Sequence, residues 1–138
     1  MNERIKGKIK DIKNYLEQLS KIKPNKFEEY EKDFKTKAAC ERYFEKIAEA
    51  VVDLAALVIK EKDLQMPEKD YEAFEILEKE NIIDSNLTKK LKDMKGMRNI
   101  IAHQYGDVND EFMYTAINKE IEDDVKTFLE IIKKLNKK

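Results

Sequence analysis

The sequence predicts an all-α protein, an antiparallel bundle of four to five helices, and three observations carry that prediction. Apolar residues recur at three- and four-residue spacing over most of the chain, the period of a helix with one face turned to a core. The 138 residues include only three glycines and two prolines, a composition that favours long helices over strands and tight turns. No stretch shows the apolar/polar alternation of a half-buried strand. The length suits one domain spanning residues 1–138.

Ile5, Ile9, Ile12, Leu16 and Leu19 form one apolar stripe, which predicts a first helix over roughly 3–20. Lys23-Pro24 closes it, because the residue before proline is pushed out of the helical region. A second helical stretch begins near Asn25 and is expected to break around Phe34–Thr36. From about Lys37 to Lys62 two stripes lie side by side: Tyr43, Ile47, Ala50, Leu54 and Leu57, with Phe44, Val51, Ala55 and Val58 next to them. So wide an apolar surface belongs in the middle of a bundle. Met66-Pro67 ends that region, and Tyr71, Phe74 and Leu77 mark a short helix after it. Asn81 to Ser85 reads as a connector. Leu87, Leu91, Met94 and Ile101 then define a further helix, with Gly106 expected as its left-handed stop. Asn109 is a candidate N-cap for the last helix, marked by Ile117, Ile121, Phe128 and Leu135.

Charge and cysteine usage exclude several classes. Lys plus Arg total 28 and Asp plus Glu 29, a net charge of -1, so the molecule as a whole is no trap for a polyanion and any nucleic-acid binding must be local. Cys40 is the lone cysteine, which rules out an internal disulfide and a multi-cysteine zinc site; within Ala38-Ala39-Cys40 it reads as a small buried hydrophobe. No metal site and no cofactor is expected. The N-terminus lacks the apolar core of a signal peptide, and no stretch approaches the 18 apolar residues of a membrane span, so the expected location is the cytoplasm.

Chemistry concentrates in Met97-Arg98-Asn99-Ile100-Ile101-Ala102-His103-Gln104-Tyr105-Gly106. Arg98 occupies a stripe position where the pattern calls for an apolar residue. A guanidinium there needs a carboxylate, a phosphate or water, because an unpaired buried charge is very costly. His103, the chain's one histidine, follows five residues later, which on a helix is 500° of rotation; it points about 140° away from Arg98 and shares the face of Asn99 and Gly96. The two converge on one substrate if the helix ends near His103, or if a second subunit supplies the matching residues across a two-fold axis. Gly96 permits close backbone approach on that face. The plain alternatives are a histidine that complements a helix C-terminus and an arginine in a structural ion pair.

Arg98, four residues, His103, one residue, Tyr105 resembles the Arg-x4-His-x-Tyr motif of the HepT toxins of the HEPN superfamily, whose wider motif often has Asn after the Arg, as Asn99 stands here. The run Ala39-Cys40-Glu41-Arg42 through Glu49-Ala50 and Asp53-Leu54 is similar to the family's central helix, and the likeness extends from about residue 10 to the end. The resemblance implies a HEPN-like helical fold and a metal-independent endoribonuclease toxin of a toxin–antitoxin pair, with the motif lining a cleft at a homodimer interface. It implies RNA as substrate and a minimal nucleotidyltransferase antitoxin as partner. In that reading His103 moves protons, Arg98 neutralises charge building on the phosphoryl oxygens, and Asn99 orients the histidine or touches the phosphate. Tyr105 becomes the hydroxyl that the antitoxin modifies with AMP, plugging the cleft with negative charge; its other reading is a stripe residue ending the helix.

Glu49 and Asp53, four apart on an otherwise apolar helix, call for a cationic partner, Arg42 or Arg98, and a supporting role is favoured over direct acid–base work. Lys89, Lys90, Lys92 and Lys95 form either a solvated face or an RNA-backbone track. The alternative function is a non-catalytic helical partner or accessory subunit of a nucleotidyltransferase.

Overall fold

The computed structural model describes residues 2–103 and 109–135. Among these the chain is all-α: helices α1 (Glu3–Ile22), α2 (Phe27–Lys32), α3 (Phe34–Glu61), α4 (Glu72–Lys79), α5 (Ser85–His103), α6 (Asp110–Thr115) and α7 (Ile121–Leu135), with a π-helical turn, Ala116–Glu120, joining the last two into one continuous run. Four long helical runs and two short ones thus make up the bundle.

Helix α3 is the spine. Eleven of its residues, from Cys40 to Ile59, are buried, and α1, α2, α4, α5 and α7 all pack on it. The two stripes read from the sequence form its core faces, with Tyr43 and Leu57 half-buried at their edges. Helix α1 lays its stripe along α3: Ile5, Ile9, Ile12, Leu16 and Leu19 are all buried. The pairs Asn2–Glu61 and Lys8–Asp53 show that these two helices run antiparallel. Helix α5 lies among α3, α4 and α7 and buries Leu87, Thr88, Leu91 and Met94.

Helix ends show where local chemistry outweighed periodicity. The expected break at Phe34–Thr36 is a single residue, Asp33, and α3 begins at Phe34. Asp33 Oδ1 accepts the backbone N–H groups of Lys35 (3.1 Å) and Thr36 (3.3 Å), satisfying donors that a helix start leaves open. Asp84 does the same for α5, accepting from Leu87 N at 2.8 Å, so that helix starts at Ser85 and not at Leu87. Asn109 caps α6 as expected, accepting from Phe112 N at 3.1 Å. Asp63 and Asn81, both at positive φ, turn the chain after α3 and α4. The expected stop at Gly106 lies outside the described residues.

The π turn has a sequence cause. Met113, Ile117, Ile121, Val125 and Leu129 are all buried at unbroken four-residue spacing. In an ideal α-helix each such step overshoots by about 40°, so the line would wander about 160° around the axis. The wider turn, in which Ile121 N donates to Ala116 O five residues back, absorbs part of that drift.

Candidate functional site

The last turns of α5 carry the motif residues, and the spacing argument for Arg98 resolves into a specific contact. Its side chain is 23% exposed and turns toward α3, where Nη2 (2.7 Å) and Nε (3.2 Å) both donate to Oε1 of Glu49. Nη1 donates to Oδ1 of Asn99 at 3.2 Å, and that same oxygen accepts from Lys95 Nζ at 3.3 Å. Glu49, Arg98 and Asn99 therefore form one hydrogen-bonded chain. Two guanidinium nitrogens converge on one oxygen rather than on both, and the pair is partly solvated, so its worth in stability is at most about 1 kcal/mol. What it supplies is orientation: the guanidinium is held at the α3–α5 seam with its plane fixed.

His103 is the last described residue of α5 and is exposed. Within one chain the structure does not join it to Arg98, because the 140° offset keeps them on different faces. Asn99, one turn before His103 and hydrogen-bonded to Arg98, is the link between the two faces. Gly96 lies two turns before His103 on that side; a Cβ placed there meets nothing within 4 Å, and neighbouring Ile100 is 42% exposed. That face of α5 is thus covered by none of the described residues. Tyr105 lies outside the described residues.

Asp53 is not part of the network. It is exposed and pairs with Lys8 of α1 at 3.5 Å, a partner that spacing on α3 alone does not reveal. Of the two expected cations, Arg98 takes Glu49 and Arg42 takes neither carboxylate. The lysines preceding the motif are largely neutralised: Lys90 by Asp124 (3.8 Å), Lys92 by Glu75 (3.1 Å) and Lys95 by Asp70 (3.5 Å). These acids come from α4, its approach and α7, so the pairing is tertiary and invisible to local pattern.

Cys40 is fully buried, and burial pushes its thiol up to about 11, so it is no thiolate nucleophile at neutral pH. Among the described residues no three His, Cys, Asp or Glu side chains are grouped to hold a metal ion, and no helix is long and apolar enough to cross a membrane.

Comparison with known proteins finds relatives that match nearly the whole chain. The mRNA nuclease HepT of Shewanella oneidensis is 26% identical over 133 residues, covering 96% of this chain and 98% of that protein. The tRNA nuclease HepT of Aphanizomenon flos-aquae is 25% identical over 114 residues, 83% of this chain and 78% of the relative. The solved structure of the tri-AMPylated Shewanella oneidensis HEPN toxin in complex with MNT antitoxin superposes with a TM-score of 0.89 at 26% identity, covering 96% of this chain and 98% of that one. The family model described as ribonuclease HepT-like matches residues 12–132, from the middle of α1 to the end of the core in α7, and the chain belongs to that family.

Proposed function

We propose that this protein is the ribonuclease toxin of a toxin–antitoxin pair, cutting RNA without a metal ion and acting in the cytoplasm as a homodimer. The observation that carries the reading is the Glu49–Arg98–Asn99 network, which presents a fixed guanidinium beside the face that bears the chain's one imidazole. The likeness to two HepT nucleases, over 96% and 83% of this chain, supports it.

The chemistry asks for little more. An RNA 2'-hydroxyl is already positioned next to its own phosphodiester. His103 takes the hydroxyl proton as the O2'–P bond forms; the P–O5' bond breaks, and the departing oxygen receives a proton from a second imidazole. Arg98 donates to the phosphoryl oxygens while negative charge builds there. Glu49 and Asn99 act as positioning residues for Arg98, and Asp53 supports the same face of α3. A two-fold pairing through the uncovered face of α5 brings two His103 and two Arg98 around one phosphate, which supplies both the base and the acid and removes the 140° problem. No metal is required because the nucleophile is the substrate's own and both proton transfers fall to imidazole. The partner is a nucleotidyltransferase antitoxin that adds AMP to Tyr105; the AMPylated toxin in complex with MNT antitoxin supports this. Phosphates attached there compete for Arg98 and close the cleft to RNA.

RNA cleavage by purified protein in excess chelator tests the reading, with Arg98→Ala and His103→Ala as controls. The wild type is expected to cut, and each variant to be slower by about 10²–10⁴-fold. Equal rates from all three, or no cleavage by any, would sink the enzyme and leave the accessory-subunit alternative.

A further inference from the structure

We propose that the groove between α1 and α3, beside the Glu49–Arg98 pair, binds the single-stranded RNA flanking the scissile phosphate, with Arg42 and Lys46 on its backbone and Tyr15 and Tyr43 under its bases. This deepens the ribonuclease reading and rests on it for the identity of the substrate.

The groove has a volume of about 250 Å³; Tyr15, Arg42, Lys46 and Glu49 are in its wall, which thus includes the carboxylate that holds Arg98, and Tyr43 lies outside the lining, reached through Lys46. A strand lying in it leads directly to the guanidinium. Arg42 and Lys46 are four residues apart and project from one face of α3. Two of the three acids in the groove are already engaged, Glu49 by Arg98 and Asp53 by Lys8. Among the described residues neither Arg42 nor Lys46 pairs with a carboxylate; Lys46 Nζ instead sits between two aromatic rings, 5.6 Å from the Tyr15 centroid and 5.4 Å from that of Tyr43. Three of the four lysines of α5 that suggested an RNA track, Lys90, Lys92 and Lys95, are in contrast tied to Asp124, Glu75 and Asp70. In a chain of net charge -1, cations without carboxylate partners decide where a polyanion settles. Cations beside half-buried tyrosine rings match the needs of an unpaired strand, whose phosphates take the charge and whose base faces stack on the rings.

Binding of a short fluorescent 2'-O-methyl RNA, which lacks the attacking hydroxyl, tests the proposal without requiring cleavage. Arg42→Gln/Lys46→Gln is expected to weaken binding at least tenfold, with the log–log salt slope smaller by about 1.4, some 0.7 for each phosphate no longer neutralised. Arg42→Lys/Lys46→Arg restores both. Tyr43→Leu weakens binding about tenfold with the salt slope unchanged, because stacking carries no counterions. Lys90→Gln/Lys92→Gln, matched in charge, has less than about a twofold effect. Melting curves confirm that each variant is folded. Equal affinity and slope for wild type and Arg42→Gln/Lys46→Gln, no binding by the wild type, or a double variant that keeps RNA but loses the nucleotidyltransferase partner would each overturn the groove. If the double variant loses RNA while the wild type cuts none, the groove stands and the nuclease reading falls; if the wild type cuts and the double variant binds and cuts equally well, the reverse holds.

Discussion

The two halves of α5 are made for different work. From Ser85 to Met94 the helix is capped by Asp84 and buries Leu87, Thr88, Leu91 and Met94 against its neighbours. From Lys95 to His103 no residue is fully buried; Met97, Arg98, Ile101 and Ala102 are half-covered, and Gly96, Asn99, Ile100 and His103 face outward. The first half fixes where the helix lies. The second is carried by helix continuity, by the half-buried Met97 and Ile101, and by two ion pairs, Lys95–Asp70 and Arg98–Glu49, and it offers its outward groups to whatever approaches. On the proposed reading, the difference separates stability from chemistry along a single helix, so substitutions should sort by position.

The largest stability effect belongs to the first half. Leu91→Ala empties a fully buried site and is expected to cost about 2–5 kcal/mol in urea denaturation, lowering activity only through loss of folded protein. Glu49→Gln comes next and reads the second half: stability changes by less than about 1 kcal/mol, while the cleavage rate constant falls roughly tenfold with little change in KM, because Arg98 loses the anion that aims it. A Glu49→Gln protein as unstable as Leu91→Ala would erase the distinction between the halves. The smallest effect is Gly96→Ala. A methyl there meets nothing among the described residues, and alanine is the better helix former, so the melting temperature should rise by an amount equivalent to up to about 1 kcal/mol. The same change should raise the dissociation constant of the proposed homodimer, read by sedimentation, since a second copy packed on that face would meet the added carbon.

What could be read in advance followed from the range of each interaction. Ile5 through Leu19 and Phe44 through Val58 announce their burial because periodicity is a local signal and the core obeys it. Arg98 was legible for the opposite reason: a charge in an apolar stripe demands a partner, and Glu49, interrupting an apolar helix, was the matching anomaly. Asp33 and Asp84 were legible in principle as caps, and weighing them above the stripes would have placed the starts of α3 and α5 correctly. Lys8 against Asp53, Asp70 against Lys95 and the rings of Tyr15 and Tyr43 about Lys46 were not legible, since each joins residues whose proximity exists only after the bundle has formed.

The π turn also sets the phase of what precedes it. Tyr114 donates its hydroxyl to Pro24 O at 2.9 Å and packs its ring on Phe27 and Tyr30, while Asp110 meets Lys37 of α3 at 2.7 Å. All three ties fix α6 to α2 and the start of α3, whereas α7 answers to the core. Removing one residue from Ala116–Glu120 would turn the upstream segment by about 100° relative to α7. Tyr114 and Asp110 would leave their partners together, and Met113, buried on the same segment, would turn out of the core with them. The count of residues in that turn, more than their identity, is what holds α6 against α2 and the start of α3.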